Sequence, residues 1–310
     1  MMEMFGSLLL LSAGFVMLVK GADWFVDGAS SIAERFGIPQ LIIGLTIVAM
    51  GTSAPEAAVS ITAAIKGNAD ITIGNIIGSN ILNILVILGI SSVITALAVS
   101  KSTVRYEIPF MIVITFALLL QGMDGVVALA EGVVLLLLFL VYSGYLFVMA
   151  KRGNALYTGD AKKCKLWQSV LWTAAGLGLI VVGSNVAVDA ASTIARILGM
   201  SERFIGLTIV ALGTSLPELF TSVSAARKGN ADIAIGNIVG SNIFNILFVV
   251  GVSALITPIP FSAGFCADMV FAILVGILLL VCSMPHHRLR RKSGIILLLS
   301  YVVYFVLICV

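Results

Sequence analysis

Charge is scarce in this 310-residue chain: 18 Lys and Arg and 15 Asp and Glu make up 11% of positions and leave a net charge of +3. A separate water-soluble catalytic domain or a basic nucleic-acid-binding surface is excluded on that ground. Histidine is nearly missing, with only the adjacent His286 and His287. No Ser/His pair, cysteine nucleophile or HExxH helix falls within an apolar stretch, so the chain does not read as an enzyme. The four cysteines, Cys164, Cys266, Cys282 and Cys309, show no paired or metal-ligand spacing; they are expected to pack, without disulfides and without a bound cofactor.

What fills the chain instead is apolar sequence, 60% by composition, with a mean hydropathy of +1.15. A helix needs about 20 apolar residues to cross a bilayer, so an integral membrane protein of on the order of ten spans is expected. The first apolar stretch, Phe5 to about Val26, outruns a signal-peptide core and has no basic leader or small-residue cleavage site; it reads as a retained span.

The chain is one unit written twice. GLTIVAMGTSAPE (Gly44 to Glu56) recurs 162 residues later as GLTIVALGTSLPE (Gly206 to Glu218), and GNADITIGNIIGSNILNIL (Gly67 to Leu85) as GNADIAIGNIVGSNIFNIL (Gly229 to Leu247). Weaker matches pair Gly14, Gly21 and Asp27 with Gly176, Gly183 and Asp189. Apolar stretches start near Phe5, Gln40, Ile71, Ile108 and Val126, then near Leu166, Phe204, Ile233, Phe265 and Ser293, five in each half. Fused copies with an odd number of spans lie in opposite orientations. The expected fold is therefore an all-α membrane protein of ten transmembrane helices, two inverted five-helix repeats (1–150 and 167–310) joined by a cytoplasmic linker, 151–166.

Basic residues set the orientation. With both termini outside, the inner loops hold Arg35, Lys101, Arg105, Lys151, Arg152, Lys162, Lys163, Lys165, Arg227, Lys228, Arg288, Arg290, Arg291 and Lys292. The outer loops hold only Lys66, Arg196 and Arg203, and Lys20 falls within the first span. The positive-inside rule then makes this a multi-pass cell-membrane protein with extracellular termini. His286 and His287, beside the last basic run, read as a solvated face or a lipid-headgroup contact. Asp27 and Asp189 read as helix-end residues.

Glu56 and Glu218 each sit in the middle of an otherwise uncharged span, where an ionised group costs several kcal/mol unless compensated. Lys20 is the only basic residue in a span and cannot serve both; a protonated Glu bonded to a neighbouring helix is the structural alternative. Pro55 and Pro217 precede the two acids, depriving the carbonyls of Gly51 and Gly213 of their usual donor. Such a bend is tolerated at mid-membrane where protein or a hydrated cavity receives the free oxygens. Residues four apart share a helix face, which groups Thr52 with Glu56, Ser79 with Asn83, Thr214 with Glu218 and Ser241 with Asn245. Interhelical hydrogen bonding is the plainer role for the Ser and Asn residues. Gathered across a two-fold axis, the set is all oxygen, which suits hard cations such as Ca²⁺ and Na⁺ and disfavours zinc and copper.

The repeated G-T-S-x-P-E followed by G-N-I-x-G-S-N-I-x-N resembles the two alpha repeats of the sodium/calcium exchanger family, within the calcium/cation antiporter superfamily, over essentially the whole chain. The resemblance implies antiport of Na⁺ against Ca²⁺ by alternating access, with the two ions as cargo rather than resident cofactors. It makes Glu56 and Glu218 carboxylates shared between calcium and sodium sites, and Thr52 and Thr214 calcium ligands. Ser53, Ser215, Ser79 and Ser241, with the carbonyls of Ala49 and Ala211, resemble sodium ligands, while Asn83 and Asn245 flank the centre. Some members carry Asp where this chain has Asn245, which weighs against potassium co-transport here. The first and sixth spans would slide as the gate, Gly14, Gly21, Gly176 and Gly183 allowing close contact; ordinary tight packing explains these glycines equally well. A proton/calcium exchanger remains the alternative, and a cation channel a more distant one.

Overall fold

The computed structural model describes residues 2–154, 165–200 and 211–309. The chain is almost entirely helical: α1 (Met2–Phe36), α2 (Gln40–Thr52), α3 (Ala54–Ile65), α4 (Ile71–Ile94), α5 (Thr103–Gly122), α6 (Leu129–Asn154), α7 (Leu166–Ile197), α8 (Ala211–Thr214), α9 (Leu216–Arg227), α10 (Ala231–Ile256), α11 (Ala263–Ser283) and α12 (Arg291–Cys309). Seven of these are each long and apolar enough to cross a membrane, and α2 with α3 forms an eighth such unit bent by 49°. The expected start of the seventh stretch at Phe204 lies outside the described residues; its later part is the α8–α9 pair.

α4 and α10 form the centre, with 78% and 83% of their spans buried, against 17–44% for the other five single spans. Their repeated Gly-Asn and Gly-Ser pairs explain this, because small residues let neighbouring backbones approach. A Cβ placed on Gly236 would stand 2.9 Å from the carbonyl oxygen of Leu41, and one on Gly240 would stand 2.8 Å from Cα of Leu45, so α2 lies directly against α10. The outer helices turn Leu, Val and Phe side chains such as Leu9, Leu137, Leu140, Leu171 and Val303 outward, as lipid contact demands.

α1 and α7 run 35 and 32 residues, about 50 Å at 1.5 Å per residue, and pack along each other as a pair. A helix of that length exceeds the ~30 Å hydrocarbon layer and has to tilt. Their contact is glycine-lined: a Cβ on Gly21 would meet the Gly176 carbonyl oxygen at 2.8 Å, and one on Gly183 would meet Met17 Cβ at 2.8 Å. The length also corrects two expectations. Asp27 and Asp189 lie inside α1 and α7, with a turn or more of helix beyond them, and are not helix-end residues.

Several boundaries move for identifiable reasons. α5 starts at Thr103 or just before it, not at Ile108, because Ser100 Oγ accepts the backbone N–H of Thr103 and caps the first turn (3.2 Å). Glu107 is thereby drawn into a helix, where it is buried and accepts the Tyr145 hydroxyl. The fifth helix starts at Leu129; Val126–Val127 form a strand instead, and Glu131 accepts the N–H of Ala128 (3.1 Å), which accounts for an acid early in that helix. α11 likewise starts before Phe265, and Asp268 inside it accepts the Tyr304 hydroxyl (3.1 Å).

Among the described residues, four two-residue strands tie the halves together: β1 (Leu97–Ala98), β2 (Val126–Val127), β3 (Ile259–Pro260) and β4 (Arg288–Leu289). β1 pairs antiparallel with β4, Leu97 opposite Leu289, and β2 pairs antiparallel with β3, Val127 opposite Ile259. β3 and β4 stand 162 residues after β1 and β2, so each strand pairs with the other half of the chain.

Candidate ion-binding site

The helix carrying Glu56 breaks rather than bends. Pro55 cannot donate to the preceding turn, so α2 ends at Thr52, Ser53 takes φ −82° and ψ 7°, and α3 begins with Pro55 in its first turn. Ser215 repeats this geometry (φ −90°, ψ 3°) between α8 and α9. Thr52 and Glu56 therefore belong to two successive half-helices, as do Thr214 and Glu218, and not to one face of a continuous helix. Glu56 and Glu218 end up in the first turns of α3 and α9, where the helix dipole favours negative charge.

The two acids are 1% and 0% exposed, and each is bonded by the opposite repeat. Ser53 Oγ donates to Glu218 Oε1 (2.8 Å), and Ser215 Oγ lies 3.4 Å from Glu56 Oε1. Thr52 and Thr214 add hydroxyl contacts to Glu218 and Glu56 respectively. Ser241 Oγ reaches the Ala49 carbonyl (3.4 Å). Ser79 is buried on α4, which packs against the α8 segment Ala211–Thr214. The Gly213 carbonyl, freed by Pro217, accepts Ser184 Oγ of α7 (2.8 Å), linking a long outer helix to the break.

Four asparagines absent from the expected set belong to this centre. Asn75 Nδ2 donates to Ser60 Oγ (2.9 Å) and the Glu56 carbonyl (3.3 Å); Asn237 Nδ2 donates to Ser222 Oγ (2.9 Å) and the Glu218 carbonyl (3.4 Å). Asn237 Oδ1 also lies 3.0 Å from Thr52 Oγ1. Asn80 and Asn242 bond across the middle of the molecule, each to the other's backbone carbonyl and to Asn245 or Asn83. Extending the four-residue spacing back from Ser79 and Ser241 reaches Asn75 and Asn237, so that pair was readable from the sequence. Asn83 and Asn245 each open a stretch of π-helix (Asn83–Leu88 and Asn245–Val250), a widened turn that often accompanies functional positions.

The chemistry of the centre lies in what is left unbonded. Among the described residues, Glu56 Oε2, Glu218 Oε2, Asn83 Oδ1 and Asn245 Oδ1 are buried without a hydrogen-bond donor. Buried acceptors without partners are costly. No basic residue pairs with either acid among the described residues, and no group of three His, Cys, Asp or Glu side chains exists there to hold a transition metal. Two carboxylates, hydroxyls, carboxamide oxygens and backbone carbonyls suit a hard cation.

A cavity of about 610 Å³, lined among others by Pro55, Ala58, Ser184, Asn185, Asp189 and Thr214, lies beside the first break and along α3, the helix that leads to Lys66. On the opposite side, α1 is fastened to α9 and α10: Lys228 Nζ contacts Asp27 Oδ1 (2.7 Å) and the Asp23 carbonyl (2.8 Å), Ser224 Oγ donates to Asp23 Oδ1 (2.6 Å), and Asn230 Nδ2 to Ser30 Oγ (3.0 Å). Phe15 and Phe220 pack at 6.0 Å between ring centroids nearby.

Known proteins resemble this chain in sequence and in fold. The sodium/calcium exchanger protein family matches residues 6–148 and again 168–310. A protein named CaxA from Alkalimonas amylolytica is 42% identical over 302 residues, covering 94% of this chain and 95% of that one. Sodium/calcium exchanger MaX1 from Methanosarcina acetivorans is 31% identical over 343 residues, with 97% of each chain covered. The solved structure of the sodium-calcium exchanger NCX_Mj, in crystals soaked with Na⁺ and Sr²⁺, superposes with a TM-score of 0.86 at 33% identity, covering 98% of this chain and 99% of that one. With a duplicated motif, a buried pair of acids and matches along its whole length, this chain belongs to the sodium/calcium exchanger family of membrane antiporters.

Proposed function

We propose that the chain is a Na⁺/Ca²⁺ antiporter of ten helices in two inverted repeats, 1–150 and 167–310, joined by a cytoplasmic linker, 151–166. The seven single spans and the bent pair already counted reach ten with the α8–α9 pair and with α12. The exchange of β1–β4 and β2–β3 partners between halves supports the inversion, as does the twofold family match. The termini and Lys66 are extracellular, and Lys228 with Arg35 faces the cytoplasm.

The observation that carries the function is the group of four donorless buried oxygens between the matched breaks. Glu56 and Glu218 are the carboxylates a cation neutralises; Thr52, Thr214, Ser53, Ser215, Ser79, Ser241, Asn83, Asn245 and the carbonyls of Ala49 and Ala211 complete the oxygen set. One Ca²⁺ balances two carboxylates, whereas sodium ions do so only as a group, and overlapping ligands make the two occupancies exclusive. An empty, doubly charged centre resists closure, so the gate formed by α1 and α7 moves only over bound cations, and that condition couples the fluxes. A cavity beside the first break, with α1 bonded to α9 and Lys228 at the other face, favours a carrier over a continuous pore.

Calcium uptake into proteoliposomes under an imposed sodium gradient tests this. Uptake that needs the sodium gradient and is lost in Glu56→Gln and Glu218→Gln is the expected result. Uptake driven by a pH gradient alone identifies the proton/calcium exchanger instead, and gradient-free leak a channel.

A further inference from the structure

The carboxamides of Asn83 and Asn245 are useful to a cation through only one of their two ends. An oxygen aimed at the site binds the ion; an NH₂ group in its place repels it. Side-chain amides are free to adopt either orientation unless their neighbours decide. Here the neighbours do. A backbone carbonyl is an acceptor only, and Asn80 contacts the Asn242 carbonyl (3.3 Å) while Asn242 contacts the Asn80 carbonyl (3.1 Å). Each of these side chains must therefore turn its Nδ2 toward the other's backbone and its Oδ1 away. The Oδ1 of Asn80 then meets Asn245 at 3.1 Å and the Oδ1 of Asn242 meets Asn83 at 3.0 Å. Acceptors demand donors, so Asn245 and Asn83 present their Nδ2 groups inward to the knot. Their own Oδ1 atoms are left over, buried and without a donor.

From this chain of constraints we infer that Asn80 and Asn242 are positioning residues: they touch no ion, and they fix the carboxamides of Asn245 and Asn83 with oxygen toward the cation. Each acts across the repeats, and the stretches of helix that begin at Asn83 and Asn245 pack on α9 and α3, the helices carrying Glu218 and Glu56. The inference rests on the cation-exchange reading of the centre. It adds that the selectivity of the site for cations is set from behind, by two amides anchored on backbone carbonyls that no side-chain rotation can change into donors.

A pair of double-mutant cycles on the purified full-length protein tests this, with Ca²⁺ binding read by calorimetry and sodium-driven Ca²⁺ uptake read in liposomes. Loss of an orienting partner behind a metal ligand lowers metal affinity about 10- to 100-fold. Asn80→Ala and Asn245→Ala are each expected to weaken Ca²⁺ binding by about tenfold or more. The double variant is expected to be no weaker than Asn245→Ala alone, since Asn80 acts through Asn245. Asn80→Ala and Asn83→Ala, which share no bond, are expected to multiply. A purely structural Asn80 would lower the melting temperature while leaving Ca²⁺ affinity intact, or would lower affinity equally in both backgrounds, and either result overturns the assignment. If Asn80→Ala does not fold, Asn80→Ser, which keeps a hydroxyl but falls short of Asn245, and the mirror cycle of Asn242 with Asn83 give the same readout. A wild-type protein that exchanges sodium for calcium but shows an additive cycle between Asn80 and Asn245 rejects only the positioning role; one that neither binds Ca²⁺ nor takes it up under a sodium gradient rejects the exchange reading and this inference with it.

Discussion

The Lys228 face and the Lys66 face are built from matched residues 162 positions apart, yet one is fastened by side-chain bonds and the other borders a cavity. Lys228, Asp27, Ser30 and Asn230 are joined on the first; their counterparts Lys66, Asp189, Ser192 and Asn68 make no such bonds to one another among the described residues, and Asp189 lines the cavity instead. Since the residues are largely the same, composition does not decide which face is fastened. The position of the α1–α7 pair does. One sequence unit thus takes two arrangements in a single molecule, an asymmetry that the proposed exposure of the site to alternate sides would use.

The largest break in that comparison comes from the centre the faces share. Glu56→Gln and Glu218→Gln are each expected to lower sodium-driven calcium uptake by at least about 100-fold. Nearly equal losses uphold the matched roles of the halves, and full activity in either variant sinks them. The next effect falls on the sliding pair. Gly21→Val and Gly176→Val place side-chain atoms against the facing backbone, so uptake is expected to drop by about tenfold or more while calorimetric Ca²⁺ binding persists. Gly178→Val, at a glycine with no atom within 4 Å of an added Cβ, serves as the comparison and is expected to remain active.

A smaller effect is expected at the fastened face. The Lys228–Asp27 pair is 28% and 64% exposed at the side chains, where an ion pair contributes about 0–1 kcal/mol. Lys228→Ala is therefore expected to raise thiol labelling of Phe220→Cys a few-fold and no more. Lys66→Ala, on the face that borders the cavity, is expected to leave that labelling unchanged; a rise equal to that of Lys228→Ala would erase the difference between the faces. Bound cargo supplies one more measure: thermal melting in Ca²⁺ at about 100 times its dissociation constant should show about 2.7 kcal/mol of added stability, and both acid-to-amide variants should lose it.

Much of this was legible in the residues themselves. The duplication, the two lone acids and the prolines before them gave the site its outline, because each is a local pattern that repeats. What was hidden depends on partners distant in the chain. Glu107 stands just before the apolar run that starts at Ile108, and nothing local signals that its buried carboxyl accepts the hydroxyl of Tyr145, on another helix. Two-residue strands carry no periodicity, so the β1–β4 pairing left no trace. Asn80 and Asn242 stood in plain view within the repeated motif, but their meaning lies in bonds to each other across 162 residues. The same holds for the serines beside the acids: spacing along one helix paired Thr52 with Glu56, whereas Ser53 bonds the acid of the opposite repeat.

The crossed strand pairs carry a consequence for biogenesis. Because β1 waits for β4 and β2 for β3, the amino-terminal portion leaves the ribosome with both of its tips unmatched and cannot finish assembling until the carboxy-terminal portion has been made. Separately expressed fragments should consequently be short-lived alone and recover only when produced together.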